Sequence, residues 1–146
     1  MRTSPLLHPL HPALAHFPLA LWIGSSVSDL LALYTRESLW WTVSHHAVVA
    51  GIIAAVVTIL AGLLELWLRS VPREALRWLA VHATLMVCAL IGFMVSLSLR
   101  TVVPAPMSAV ALSLLGSVIV LVGGYCGGTL VYRFGVGVSW RAPADR

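Results

Sequence analysis

Residues 46–68, HAVVAGIIAAVVTILAGLLELWL, hold one charged side chain, Glu65, in a run as long as a bilayer demands, since about 20 apolar helical residues cross the hydrocarbon core. Working outward, three more stretches of the same kind lie at 14–34, 78–99 and 107–131. The chain, residues 1–146, therefore reads as a single transmembrane domain: an all-α, integral membrane four-helix bundle. Composition agrees. Apolar residues make up 60%, charged residues 10%, and mean hydropathy is +0.96, whereas soluble domains carry about 25% charge. Lipid tails are as apolar as leucine, so such helices must associate through small residues and buried polar contacts.

The net charge of +4 comes from nine arginines and no lysine, all outside the four stretches. No basic cluster interleaved with aromatics occurs, so the arginines speak of topology and no nucleic-acid partner is expected. Arg2, Arg69, Arg73, Arg77, Arg133, Arg141 and Arg146 lie on one side, against Arg36 and Arg100 on the other connections. The positive-inside bias then puts both termini and the second loop on the cytoplasmic side, and an even number of spans agrees. The first stretch is expected to be retained, because Pro5, Pro9, Pro12 and Pro18 interrupt it and no small-x-small cleavage site follows. The expected turns are YTRESLWWTVSH (34–45), with Trp40 and Trp41 at headgroup level, RSVPREALR (69–77) and RTVVPAP (100–106). Cys88 and Cys126 fall inside apolar stretches and read as small buried hydrophobes.

Ionisable groups inside lipid are costly and face the bundle interior, which makes them the candidates for function. His16 and His82 sit on separate spans at matching depth on the cytoplasmic side, with Glu65, Tyr125 and Cys126 at a similar level. Two imidazoles so arranged suggest axial ligation of a b-type haem. In that reading His16 and His82 hold the iron, Glu65 tunes the potential or takes a proton, Tyr125 lies beside the site, and Arg77 or Arg133 neutralises the propionates. The glycines of the fourth stretch make room for the ring, and the protein exchanges electrons with a quinone or a membrane redox partner. A copper or zinc ion on His8, His11 and His16 is the alternative metal set, since imidazole suits both, but the prolines of HPLHPALAHFP (8–18) favour a stiff approach to the membrane.

The competing reading is a non-enzymatic scaffold or assembly factor in which the histidines bridge helices by hydrogen bonds. No catalytic residue is assigned, because no nucleophile elbow, nucleotide loop, zincin helix or CxxC occurs. Asp29 shares an i, i+3/4, i+7 stripe with Trp22 and Ser25 or Ser26. With His45 and His46 it belongs to the opposite leaflet, so the polar groups form no continuous path of the kind a permease needs. Gly123 to Gly127 and Gly124 to Gly128 are overlapping GxxxG spacings, suited to packing within the bundle or to a homodimer seam.

His11-Pro12, His16-Phe17-Pro18, Asp29, Glu65, His82, Arg100 and the closing run GGYCGGTLVYRFGVGV resemble the bacterial membrane proteins grouped as domain-of-unknown-function family 2231, over roughly residues 8–138. HPALAHFP and GGTLVYRFGVGV are the most specific parts. The resemblance implies a four-helix inner-membrane domain, fused in some longer chains to a Rieske-type iron–sulfur domain, and hence a Rieske or cytochrome redox partner by analogy. It also implies that His11, His16 and His82 are the family's characteristic histidines, Glu65 its acidic position, and Tyr132 and Arg133 part of its closing motif. Thr129 stands where the family often has an acidic residue, and the Rieske portion is missing.

Overall fold

The computed structural model describes residues 10–68 and 70–137. Four helices account for nearly all of them: α1 (Leu10–Thr35), α2 (Ser38–Leu68), α3 (Leu76–Leu99) and α4 (Met107–Tyr132), with a 3₁₀ turn at Arg73–Ala75 leading into α3. All four are long and apolar enough to cross a membrane. No strand occurs among the described residues.

The breaks between helices have local causes. Arg36 adopts the left-handed conformation at φ 64° and reverses the chain between α1 and α2 within two residues. Pro72 precedes the 3₁₀ turn, and Pro106 is the residue before α4, where a ring that fixes φ and lacks a donor is tolerated. Gly135, at φ 64°, turns the chain after α4 and donates to the Val131 carbonyl at 3.1 Å, a conformation only glycine takes without strain.

Each helix packs mainly on its chain neighbour, α1 on α2 and α3 on α4. The two hairpins then meet through α1 with α4 and, less closely, α2 with α3. The helices run up and down in turn, so α1 and α3 begin, and α2 and α4 finish, at one end of the bundle, called here the terminal end. The two tight connections α1–α2 and α3–α4 form the turn end. In the middle, Trp22 of α1 and Phe93 of α3 stack with ring centres 4.5 Å apart and planes 8° from parallel. Val48, Ala55, Ala89 and Val120 close around them.

Two sequence expectations change. The first connection is not a twelve-residue turn: α2 begins at Ser38, and Trp41 is buried against Ala32 and Val110. Cys88 is exposed on the outside of the bundle, while Cys126 is buried as expected. Lipid-facing and core-facing positions both accept a small apolar side chain, so burial does not follow from composition alone.

Candidate functional site

Polar groups collect at both ends of the bundle, in different ways. At the turn end, Arg100 follows α3 as its C-cap, and its guanidinium bends into the bundle. Nη1 donates to Asp29 Oδ1 at 2.8 Å and Ser44 Oγ at 3.0 Å; Nη2 donates to Asp29 Oδ2 at 2.5 Å and Ser113 Oγ at 2.9 Å; Nε donates to Ser96 Oγ at 3.4 Å. All five donors of the fork are used. Asp29, Ser44, Ser96 and Ser113 come one from each helix and are fully buried. Ser96 also donates to the Ala109 carbonyl at 2.7 Å. A bidentate pair with every proton of the guanidinium engaged and both carboxylate oxygens accepting is the kind of geometry under which a buried ion pair is tolerated.

At the terminal end the polar groups are imidazoles. His11 Nδ1 donates to the Thr58 carbonyl at 2.9 Å, tying α1 to α2, and His82 Nδ1 donates to the Gly123 carbonyl at 2.8 Å, tying α3 to α4. A carbonyl can only accept, so each Nδ1 carries the proton, and Nε2 is left as the nitrogen that takes no part in the tie between helices. The two rings meet edge to face with centres 6.2 Å apart and planes 89° from parallel. Glu65 contributes through its carboxylate, which accepts the backbone N–H of His11 at 3.0 Å. It thereby satisfies a donor at the start of α1, where negative charge is favoured.

Glycines create both imidazole seats. A Cβ on Gly62 would stand 2.7 Å from His11 Nδ1, and one on Gly127 would stand 3.0 Å from His82 Cε1. Each glycine lies four residues beyond the carbonyl that its histidine contacts, so removing its side chain opens that carbonyl to a second donor. Gly123 seats Met86 in the same manner, with the Sδ 3.8 Å from a Cβ placed there. Gly123 and Gly127 thus receive side chains of α3, Met86 and His82, from within the chain.

His82, Glu65 and His11 are brought together at the terminal end. His16 is exposed on α1, its Nδ1 within 3.3 Å of the Ala13 carbonyl one turn back. Tyr125 is 74% exposed on the outer face of α4. Arg77 and Arg133 are exposed, yet both line one pocket of about 480 Å³ with Glu74, Trp78, Val81 and Phe134. His8 lies outside the described residues. At the other end, His46 is exposed with Nδ1 2.8 Å from the Thr42 carbonyl, and His45 touches it at 5.6 Å between ring centres. Among the described residues no three His, Cys, Asp or Glu side chains converge on a metal-sized point. The sequence reading missed Arg100 as a buried group, having counted it as a loop cation, and missed the Thr58 carbonyl and Gly62 as parts of the His11 seat.

A bundle of four lipid-length helices with polar groups sequestered at its two ends defines a small polytopic α-helical membrane protein. Residues 7–140 match the model of the family described as "Predicted membrane protein (DUF2231)", and the chain belongs to that family. No curated protein and no solved structure matches it.

Proposed function

We propose that this protein is a haem-b electron carrier of the bacterial inner membrane, in which His11 and His82 would hold the haem iron. The observation that carries the reading is the imidazole pair itself: one ring from each hairpin, centres 6.2 Å apart, each Nδ1–H held by a backbone carbonyl. That second bond fixes tautomer and orientation in metal-ligating histidines. A bare zinc or copper ion would need three or four protein ligands. Haem iron needs two, because the porphyrin supplies the rest.

His82 was the expected ligand on α3; on α1 the contact favours His11 over His16. Glu65 accepts the backbone N–H of His11 at the start of α1, beside the proposed His11 ligand. Arg77 and Arg133, lining one pocket, are suited to propionates. The haem would supply one-electron exchange with a quinone or a membrane redox partner. Both termini are assigned to the cytoplasm on the arginine asymmetry.

A second reading rests on the same hydrogen bonds: the rings act only as ties between helices in a scaffold protein. The reduced-minus-oxidised optical spectrum of the purified protein separates the two. A sharp α band and Soret shift that vanish in His11→Ala and in His82→Ala support the carrier; a colourless, normally folded protein from haem-replete cells rejects it.

A further inference from the structure

The buried faces of the two hairpins coincide in sequence. Three pairs of side chains meet between α1 and α3 with its C-cap: His11 with His82, Trp22 with Phe93, and Asp29 with Arg100. The members of every pair are 71 positions apart (82 less 11, 93 less 22, 100 less 29). The same displacement carries the buried Pro18 and Ser25 of α1 onto the buried Ala89 and Ser96 of α3. On the second helix of each hairpin the displacement is 65 (113 less 48, 116 less 51, 120 less 55, 123 less 58), which takes buried Val48, Gly51, Ala55 and Thr58 onto buried Ser113, Gly116, Val120 and Gly123.

The seats repeat as well. Trp22 lies over Gly51 as Phe93 lies over Gly116, where a Cβ would come within 2.5 and 2.7 Å of the respective rings. His11 lies over Gly62 and donates to residue 58, and His82 lies over Gly127 and donates to residue 123. A common helical period can align two buried stripes. It does not make a residue's nearest partner across the bundle its own counterpart. Counterparts meet each other only along a two-fold axis, as at the centre of an isologous interface.

We infer that the chain is one two-helix unit in tandem, 10–68 and 76–132, and that the inner face of each unit is a docking surface for the other copy. The axis runs between α1 and α3, along the bundle, in the manner of parallel repeats in transporters. On such an axis like residues face like, which suits imidazole against imidazole and ring against ring. A charge would face its own sign. Asp29 opposite Arg100 is therefore the departure that makes pairing heterotypic: a first unit docked on another first unit buries two carboxylates, a second on a second two guanidinium groups, and only the mixed pair satisfies both.

The test uses the full chain in detergent and needs no cofactor, so its result is independent of the haem reading. Thermal unfolding is followed for D29R, R100D and the exchange variant D29R/R100D. It is also followed for a circular permutant in which residues 71–146 precede 1–70, with a flexible linker from Arg146 to Met1. Equivalent positions predict that both single variants lose cooperative unfolding, that the exchange regains most of the lost midpoint, and that the permutant melts cooperatively as a monomer. An exchange variant no more stable than R100D, together with a permutant that aggregates, overturns the inference.

Discussion

The two ends of the bundle hold polar groups under opposite conditions. At the turn end every donor of Arg100 and both oxygens of Asp29 are engaged, in a setting sealed from the surroundings. At the terminal end the two imidazoles are half-buried, and each spends one nitrogen on a carbonyl while the other takes no part in that tie. Saturation without access describes a structural group, because nothing further can bind. Fixed orientation with one ring nitrogen outside the tie leaves room for a further contact. Saturated and unsaturated polar groups are in this way divided between the ends, with the Trp22–Phe93 stack between them.

Breaking the sealed end gives the largest expected effect. Arg100→Ala or Asp29→Ala leaves a buried charge without its partner, a loss of about 3–5 kcal/mol. Chemical denaturation in micelles measures it, and a loss below about 1 kcal/mol would show that the ion pair is no keystone. The open end should behave differently. His11→Ala and His82→Ala are expected to remove any haem spectrum while costing only about 1–2 kcal/mol each, the value of one buried hydrogen bond and some packing. His16→Ala should leave the spectrum intact, and the reverse pattern, His16 needed and His11 dispensable, would return the site to the pair first read from the sequence.

The seats sharpen the contrast. Gly62→Ala and Gly127→Ala press a methyl against His11 and His82, an overpacking expected to cost about 1–3 kcal/mol. The effect should be greater at Gly62, where the approach is 2.7 Å against 3.0 Å. Equal effects in denaturation would mean that the two rings yield alike. Smallest of all is Trp22→Phe, expected to change stability by less than about 1.5 kcal/mol. The buried Trp22 Nε1 has no hydrogen-bond partner, so removing it offsets part of the lost ring area, and Phe93 already occupies the matching seat on Gly116. A large loss would show that the indole N–H has a partner in the membrane.

The four spans were legible because apolar length is a one-dimensional property. So was the stripe of Trp22, Ser25, Ser26 and Asp29, all of which are buried. Depth along the membrane was legible too, and it placed His82 and Glu65 at one level and Asp29 at the other. Rotation was not. His11 and His16 are five residues apart, roughly 140° around a helix, and what selects His11 is Gly62, 51 positions away on α2 (62 less 11). Tyr125 failed for the same reason, since its neighbour Cys126 points inward and it points out. Arg100 looked like a loop cation because its partner is 71 positions back. A comparison of the chain with itself would have found that partner, since the spacing recurs at His11 and Trp22.

The hairpins differ in one dimension: the displacement falls from 71 to 65 across the turn, leaving the first six residues longer there than the second. α1 and α2 accordingly climb past the level at which Pro104 and Pro106 stop the other pair, and the roof of the molecule is stepped. Under that overhang lies a recess of about 330 Å³, with Trp41, Thr42, His45 and His46 as its wall and residues 100–103 and Ala105 along its floor. The recess owes its existence to unequal stem lengths, so trimming the taller stem would level the step and abolish the hollow without touching a single side chain that lines its floor.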